Sequence, residues 1–318
     1  MAGVAVSDLL IRDYDDADED IVLELLAGSL GWLPDAGHRE FFRWKHLQNP
    51  AGRSAMWVAE SAGQIVGFRS MLRWVFDVDG AEVHAVRAVD TATAPAARGQ
   101  GVFRALTLHA VAALTAEGVG FVFNTPNDQS RPGYLKMGWI ELGRPPAAAR
   151  PSGPLGALRA ARSRTPAELW SLPSDAGVAA TEGLSGALPT GPQSLSGLAT
   201  RRRAEHLQWR YGLPSLSYRA LRRDDGIAIF RLRRRGHATE AAVCEVLADD
   251  DDGARRLVQE VARVSGADHL LRLGRAHTSW RELPLPGGGP ILTWRALAST
   301  TPVELSRWRL SLGDVELL

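Results

Sequence analysis

The sequence passes from a predicted strand into a predicted helix across Thr91-Ala92-Thr93-Ala94-Pro95-Ala96-Ala97-Arg98-Gly99-Gln100-Gly101-Val102-Phe103-Arg104. Proline ends the strand because it has no N–H group to donate within a sheet. Gly99 and Gly101 adopt positive φ readily and let an anion approach the backbone without a Cβ clash. The first N–H groups of a helix lack partners within it, and the helix dipole favours negative charge there. The stretch therefore predicts a phosphate-binding loop.

Two common phosphate-binding motifs do not describe this loop. No Gly-Lys-Ser/Thr follows it, as in a Walker loop, and its glycines do not have the G-x-G-x-x-G spacing of dinucleotide-binding folds. The alternative to a phosphate site is a glycine turn that only caps the helix.

The segments on either side of the loop predict an α/β domain. Apolar periodicity and turn residues give the order β-α-α-β-β-β-α-β-α-β between residues 9 and 142. Two helices, over residues 16–30 and 38–47, precede the three strands that lead to the loop. This order is typical of helices packed on a mixed sheet.

A second motif follows the loop, within Asn127-Asp128-Gln129-Ser130-Arg131-Pro132-Gly133-Tyr134-Leu135-Lys136-Met137-Gly138-Trp139. Its pattern is similar to the N-x-x-A-x-x-x-Y-x-x-x-G-F segment of the GNAT superfamily of N-acetyltransferases. Arg98-x-x-Gly101 likewise resembles the R/Q-x-x-G-x-G/A acyl-CoA loop of that family. Both motifs have the family's order and spacing, and the resemblance covers about residues 5–145. It implies the GNAT acyl-CoA N-acyltransferase fold, with acetyl-CoA or another acyl-CoA as co-substrate.

The resemblance also implies a role for each motif residue. Thr91 and Thr93, at the strand end, would pair with the pantetheine arm as an added strand. Asn127 would contact the pantetheine or order the strands beside it. Tyr134 would protonate the departing thiolate, because a phenol is protonated at neutral pH and still donates locally. The backbone amides of six loop residues would hold the pyrophosphate: Arg98, Gly99, Gln100, Gly101, Val102 and Phe103.

Phe103 departs from the family pattern, which has a small residue at the end of the loop. The start of the helix must accommodate its ring, which either points into the core or narrows the pyrophosphate groove. The departure concerns the strength of coenzyme binding and leaves the expected fold unchanged.

The sequence does not single out a general base. Asp90, His84 and Glu82 lie on the strand before the loop, where bases often lie in such enzymes. Strict alternation puts Asp90 and His84 on one face of that strand. Asp90 is the first candidate. The alternatives for Asp90 are a strand-end cap or a salt bridge to a nearby arginine, and a water chain is the alternative base.

Trp32 is the candidate substrate contact. It lies between the first two predicted helices, in a loop that shapes the acceptor pocket of the family it resembles. Most of the other tryptophans have a spacing more typical of core residues.

The last third of the sequence repeats part of the first. Leu207-Gln208-Trp209-Arg210-Tyr211 echoes Phe42-Arg43-Trp44-Lys45-His46, and residues 225–231 parallel residues 63–69. The repeated blocks indicate a diverged internal duplication. Four consecutive aspartates, at 249–252, stand where a second phosphate loop is expected, and their charge would repel a pyrophosphate. We therefore expect a degenerate second copy that binds no coenzyme and walls the acceptor pocket.

Composition divides the chain into three predicted parts. Residues 1–148, with 13 basic and 18 acidic side chains, form the catalytic domain. Residues 201–318, with 20 basic and 15 acidic side chains, form the degenerate copy. Residues 149–200 are rich in proline and glycine, and we expect them to form an ordered connector lying over the first domain.

Length and composition limit the classes of function. A chain of 318 residues favours about two domains, and its 45% hydrophobic and 23% charged residues are those of an ordinary soluble globular protein. No apolar run approaches the ~18 residues that a membrane span needs. The single cysteine excludes an intramolecular disulfide, and the histidines show no metal-ligand spacing. We expect a cytoplasmic protein with no metal and no membrane contact. A net charge of +1 gives no overall basic surface of the kind that nucleic acid needs, so nucleic acid is not the expected partner.

These expectations combine into one function. The chain is expected to move an acetyl or short acyl group from acyl-CoA to a primary amine of a small molecule by direct attack, as a monomer or homodimer. Two alternatives stay open. One is a non-catalytic acyl-CoA-binding regulator. The other is an aminoacyl-tRNA-dependent, amide-bond-forming transferase, in which the arginine runs at 201–203 and 233–235 would contact tRNA.

Overall fold

The computed structural model describes residues 9–33, 35–163, 165–186, 188, 197–298 and 304–316. The strands are β1 (Leu10–Asp13), β2 (Ala55–Ser61), β3 (Gln64–Val78), β4 (Ala81–Thr93), β5 (Phe121–Asn124), β6 (Ile140–Gly143), β7 (Ala147–Pro151), β8 (Val178–Ala179), β9 (Leu198–Thr200), β10 (Arg219–Arg223), β11 (Gly226–Arg235), β12 (Ala238–Ala248), β13 (His269–Leu273), β14 (Leu283–Pro284), β15 (Leu292–Ala296) and β16 (Trp308–Arg309). The helices are α1 (Glu19–Leu30), α2 (Ala36–Leu47), α3 (Val102–Ala116), α4 (Arg131–Lys136), α5 (Pro154–Arg162), α6 (Ala180–Gly183), α7 (Ala204–Arg210) and α8 (Asp251–Val264).

Local chemistry fixes the starts of three helices that matter below. The Asp35 carboxylate accepts the N–H of His38 at 2.8 Å and caps α2. The Asp250 carboxylate accepts the N–H of Gly253 at 2.7 Å and caps α8. α3 instead begins after Gly101, whose φ of 81° places it in the left-handed region that glycine tolerates.

The first sheet has the order β1-β2-β3-β4-β5-β15-β6, with β9 paired to the far end of β3 and β16 paired to β9. α3 packs directly on one face, because Gly67 of β3 has no side chain: a Cβ there would lie 2.5 Å from Cγ1 of Val102. α1 and α2 cover the other face, where Phe41 and Trp44 of α2 are buried.

The second sheet has the order β14-β7-β13-β12-β11-β10-β8. α8 covers one of its faces and buries Leu257, Val258 and Val261 against the strands. The other face shares a hydrophobic core with the α2 side of the first sheet. That core contains Phe123 and Trp74 from the first sheet together with Ile229 from the second. The predicted α/β architecture with mixed sheets is confirmed.

The two sheets exchange one strand each. β7 follows β6 in the chain but inserts between β13 and β14 of the second sheet. β15 follows β14 in the chain but inserts between β5 and β6 of the first sheet. The exchange is reciprocal, and it supports the hypothesis of an internal duplication.

A reciprocal tryptophan pair joins the two repeated helix ends. Trp44 and Trp209 stack with ring centroids 5.3 Å apart. Trp44 Nε1 donates to the carbonyl of Trp209 at 2.7 Å, and Trp209 Nε1 donates to the carbonyl of Trp44 at 2.8 Å. Because these residues occupy matching positions in the two repeats, the contact is symmetric about a local two-fold axis.

β7 crosses the predicted domain boundary at 148, β9 ends at Thr200, and the boundaries themselves stay predictions. Among the described residues of 149–200, Trp170 packs on His38 and Phe41 of the first domain as expected, but the regular elements β7, β8 and α6 do not lie over that domain. β7 and β8 pair within the second sheet, and α6 packs on β10 of that sheet. β9 does pair with the first sheet. The segment follows the second sheet because the strand exchange carries β7 there.

The strand exchange predicts that neither half folds alone. A fragment of residues 1–146 lacks β15, so β5 and β6 lose the strand that joins them. We expect this fragment to show no cooperative unfolding transition by circular dichroism. Co-expression with residues 147–318 should restore the transition of the intact chain. Cooperative unfolding of the 1–146 fragment alone would contradict this expectation.

A buried histidine predicts a loss of stability in mild acid. His206 contacts the rings of Trp74 and Trp209, and burial lowers its pKa to about 4. In the unfolded chain a histidine has a pKa of about 6.5. Between about pH 4 and pH 6.5 the unfolded chain therefore binds a proton that the folded chain does not. The free energy of unfolding should therefore fall as pH drops through this window, by about 1.4 kcal/mol per pH unit from this residue.

Denaturant titrations between about pH 6.5 and pH 5 measure this slope, with 2.303RT setting its scale. His206→Gln removes the titrating ring and keeps a polar side chain, so its slope should be shallower than that of the parent. Equal slopes would show that His206 does not titrate as proposed.

Candidate functional site

The first sheet opens between β4 and β5. These parallel strands pair from Ala85–Phe121 to Arg87–Phe123. β4 continues beside β3 to Thr93, whereas β5 ends at Asn124 and pairs with β15 on its other side. Beyond Arg87 the two strands part, and the glycine loop begins at the end of the longer one.

A β-bulge determines which face each β4 side chain occupies near this opening. The cross-strand pairs Arg69–Thr91 and Ser70–Val89 leave Asp90 as the extra residue. Val89 and Asp90 consequently both lie on the face covered by α2. Thr91 shares the opposite face with Arg69, its cross-strand partner.

The bulge also separates the three candidate bases. The expectation that Asp90 and His84 share a face is wrong, because the extra residue reverses the alternation between them. His84 is exposed, and its Nε2 lies 3.2 Å from Oε1 of Glu82. Glu82 also pairs with Arg201 and Arg203.

Asp90 forms a buried ionic network with α2. Its carboxylate lies 2.9 Å from Nζ of Lys45 and 2.9 Å from Nε2 of His46, whose Nδ1 lies 3.0 Å from Oγ of Ser54. Burial by itself would raise the pKa of Asp90, but Lys45 and His46 outweigh it and hold the pKa well below its ordinary value. Asp90 is therefore a charged anchor for α2. Among the described residues its ion-pair partners are Lys45 and His46 and not an arginine, and its role as a base stays a prediction.

Arg87 connects Asp314 and Val315 to the place where β4 and β5 part. Its buried guanidinium donates to the carbonyl oxygens of Asp314 and Val315 and to Oγ1 of Thr125. Burial, with a smaller contribution from the Arg210 cation, lowers the pKa of Arg87 to about 9. Residues 312–316 consequently border the place where β4 and β5 part.

The glycine loop has the geometry of an anion cradle. A short 3-10 turn at Pro95–Ala97 follows β4, and Gly99 and Gly101 both have positive φ. The first α-helical hydrogen bond of α3 runs from the N–H of Ala105 to the carbonyl of Gly101. The N–H groups before Ala105 therefore take no part in the hydrogen bonds of the helix. A Cβ at Gly99 would meet no atom within 4 Å, which leaves open space beside the loop.

Tyr134 lies on the same face of the sheet as α3. Its side chain is 3% exposed and packs against the rings of Trp139 and Phe103. Nη1 of Arg69 donates to the Tyr134 hydroxyl oxygen at 2.7 Å. The hydroxyl oxygen is thereby held by a donor, and its own proton is available to another acceptor.

Phe103 points toward α4 and links the glycine loop to Tyr134. Its ring stands edge-on to Tyr134, with centroids 5.4 Å apart. Gly133 makes room for the ring, because a Cβ there would lie 3.0 Å from Cε1 of Phe103. The large residue at the end of the loop thus packs beside the predicted acid.

Asn127 orders the loop before α4. Its side-chain oxygen accepts the backbone N–H groups of Gln129 and Ser130, at 3.1 and 2.9 Å, and the hydroxyl of Ser130 at 2.9 Å. These hydrogen bonds order the loop itself and no strand, so both roles expected for Asn127 stay predictions.

Trp32 borders a cavity of about 770 Å³ between the two halves. Its ring packs against Phe41 of α2, so the cavity lies on the α2 face of the first sheet. Trp170, Arg231 and Val315 form other parts of the wall. Val315 connects the cavity to the opening, because its carbonyl accepts the Arg87 guanidinium at 2.9 Å.

The structure brings only some of the predicted site residues together. Tyr134, Phe103 and Thr91 lie on the α3 face, whereas Asp90 and Trp32 lie on the α2 face. The sequence interpretation missed Arg69. An arginine within the apolar strand segment Ile65–Leu72 was the signal that could have found it.

The second half has a matching opening but a different loop. β12 and β13 pair in parallel over Glu240–His269 to Ala242–Leu271, and Cys244 occupies a bulge comparable to that at Asp90. The helix that follows begins with Asp251 and Asp252, and no glycine cradle precedes it. Acidic side chains at that helix start do not fit a phosphate group.

Within the described residues no cluster of histidine, cysteine, aspartate and glutamate has the arrangement of a metal site. In the same part of the chain, no helix combines the length and the apolar composition that crossing a bilayer requires.

Comparison with known proteins identifies the first half. The acetyltransferase (GNAT) domain family matches residues 10–141. None of the curated proteins matches the sequence.

Several solved structures share the fold of the whole chain. A probable N-acyltransferase from Enterococcus faecalis V583 has a TM-score of 0.66 at 12% identity, covering 91% of this chain and 73% of its own. A GCN5-related N-acetyltransferase from Kribbella flavida has a TM-score of 0.62 at 17% identity, covering 92% and 71%. Eis1 from Mycobacterium abscessus has a TM-score of 0.58 at 14% identity, covering 91% and 74%.

At these identities the likeness concerns the fold, and it extends over both sheets. The GNAT fold expected from the two motifs is confirmed, and the two sheets are consistent with a tandem arrangement. Residues 10–141 therefore match the acetyltransferase (GNAT) domain family, within a chain that has the fold of these structures.

Proposed function

We propose that this chain moves an acetyl or other short acyl group from acyl-CoA to a primary amine of a small molecule. Acyl transfer is the general chemistry that the family assignment supports. One observation carries the finer proposal. Tyr134 is buried beside Phe103, which lies in the first turn of the helix after the glycine loop, and Arg69 donates to the Tyr134 hydroxyl oxygen.

The coenzyme would lie along the α3 face. Backbone N–H groups from Gly99 through Phe103 would hold the pyrophosphate, whereas the N–H of Arg98 donates to the Pro95 carbonyl. The edge of β4 at Thr91 and Thr93 would pair with the pantetheine. An anion at a helix start gains only about 0.3–2 kcal/mol from the dipole, so several of these amides must contribute. The open space beside Gly99 fits this arrangement.

Tyr134 would serve as the acid and protonate the departing thiolate. We propose that Asp90 anchors α2 and that a water chain takes the proton of the amine. The Asp90 carboxylate is bound on two sides by Lys45 and His46 and lies on the face opposite Tyr134. Both features disfavour Asp90 as the group that accepts a proton.

The acceptor would occupy the cavity beside Trp32. Both halves of the chain line this cavity, and its volume of about 770 Å³ is that of a small-molecule site. The arginine runs offer little to tRNA, because Arg233 and Arg235 pair with Glu240, and Arg201 and Arg203 pair with Glu82. A non-catalytic regulator would bind the coenzyme and release no thiol with any amine.

Gly101→Glu tests the coenzyme site. A carboxylate in the cradle repels the pyrophosphate, so we expect the variant to lose measurable acetyl-CoA binding by calorimetry, whereas the parent binds one molecule per chain. Gly118→Glu is the matched control, because Gly118 also has positive φ and open space around it. Equal acetyl-CoA affinity of Gly101→Glu and the control would place the coenzyme elsewhere.

Tyr134→Phe tests the acid. Removing a positioned general acid typically costs about 10²–10⁴-fold in rate, so kcat should fall by at least about 10²-fold while acetyl-CoA affinity is kept. Thiol release across a panel of primary amines gives the rate. A kcat equal to that of the parent would refute the assignment.

Asp90→Asn tests the anchor. It leaves Lys45 and His46 buried without their anion, and breaking a buried ion pair typically costs about 3–5 kcal/mol of unfolding free energy. Lys45→Met combined with Asp90→Asn removes both charges and should recover most of that loss. If Asp90→Asn instead abolished activity at unchanged stability, Asp90 would be the base.

A further inference from the structure

Arg69 is a buried cation without a buried anion. Its side chain is 0% exposed, and within the described part of the chain no carboxylate lies within 4 Å of it. Other buried arginines are compensated: Arg210, Arg231 and Arg233 share Glu316, and Arg87 donates to carbonyl oxygens. Arg69 is the exception in this group.

The contacts of Arg69 converge on Tyr134. Nη1 donates to the Tyr134 hydroxyl oxygen at 2.7 Å, and the guanidinium lies 5.4 Å from the Tyr134 ring centroid and 5.8 Å from that of Phe103. Nη2 contacts Sδ of Met71 at 3.8 Å, and Nε has no hydrogen-bond partner. Charged hydrogen bonds of this kind are about twice as strong as neutral ones.

An uncompensated guanidinium is costly in the free protein. Removing such a charge from water costs free energy unless an anion or hydrogen bonds offset it. Negative charge that appears beside the Tyr134 hydroxyl would therefore be stabilised by a cation already in place. Preorganised charge of this kind acts where charge develops during a reaction.

We propose that Arg69 is a positioning residue that holds the Tyr134 hydroxyl and stabilises the sulfur of coenzyme A as a thiolate. This inference rests on the proposed function and adds a residue to it. Arg69 acts through Tyr134: it occupies a lone pair of the hydroxyl oxygen, so that the O–H proton is directed away from the guanidinium.

The amine nitrogen bonds to the thioester carbon, and the carbon–sulfur bond breaks with its electron pair going to sulfur. Tyr134 gives its proton to that sulfur, and the proton lost by the nitrogen returns to the Tyr134 oxygen through water. The products are an amide and coenzyme A with its thiol. Arg69 stabilises the negative charge while it is shared between sulfur and the Tyr134 oxygen.

The test compares coenzyme A with desulfo-coenzyme A, which carries hydrogen in place of the thiol. If the site favours the thiolate, the affinity of coenzyme A rises with pH by up to about tenfold per unit, the limit for one released proton. Desulfo-coenzyme A carries the same phosphates without the thiol, so the ratio of the two affinities reports the thiol alone. Calorimetry at a series of pH values between about 6 and 8.5 measures both. This readout needs no acceptor amine.

Three variants locate the effect. Arg69→Met should lose the pH-dependent preference for coenzyme A. Arg69→Lys should keep part of it, because lysine carries the same charge but lacks the planar set of donors of the guanidinium. Tyr134→Phe should also lose the preference, although it leaves Arg69 in place. Thermal unfolding of each variant shows that the fold is kept. Should Arg69→Met fail to fold, Arg69→Lys and Tyr134→Phe still decide the result.

The outcomes separate this inference from the proposed function. If neither coenzyme A nor desulfo-coenzyme A binds the parent chain, the proposed function fails. If both bind with equal affinity at every pH, the coenzyme site stands and the role of Arg69 is overturned. A preference for coenzyme A that persists unchanged in Arg69→Met also overturns it.

Discussion

Each sheet of this protein depends on a strand that the other half of the chain supplies. β15 joins β5 to β6, and β7 joins β13 to β14. The reciprocal hydrogen bonds between Trp44 and Trp209 fix how the two halves meet. The α2 face of the first sheet is thereby pressed against the second sheet, which is why residues of both halves line the cavity beside Trp32. The first sheet is incomplete without the strand that the second half supplies.

Buried charge organises the junction between the halves. Burial by itself would raise the pKa of Glu316, but Arg231, Arg233 and Arg210 outweigh it and hold that pKa at about 2. The carboxylate is therefore ionised and pins residues 312–316 to the second sheet, while Arg87 pins the same segment to the first. Burying such ion pairs costs free energy, and breaking them once buried costs free energy too. They therefore favour one arrangement of this segment. The segment that borders the opening of the first sheet is consequently held from both sides.

The sequence predicted what local chemistry determines. The proline, the two positive-φ glycines and the helix start at Val102 lie in one continuous stretch, so the loop could be predicted. The strand exchange joins residues more than a hundred positions apart and leaves no local signal. The bulge at Asp90 inserts one residue, and a single extra residue reverses every later side chain of a strand. The strict alternation that put Asp90 and His84 on one face of β4 therefore fails at the bulge, next to the opening of the sheet.

The reversal has a consequence for the proposed chemistry. The glycine loop, Phe103 and Tyr134 lie on the α3 face, whereas the cavity beside Trp32 lies on the α2 face. A coenzyme and an acceptor bound on these two faces are separated by the sheet itself, except where β4 and β5 part beyond Arg87. The thioester and the amine would have to meet in that opening. The length of the parallel pairing between β4 and β5, which stops at Arg87–Phe123, then determines where the acyl group can cross from one substrate to the other.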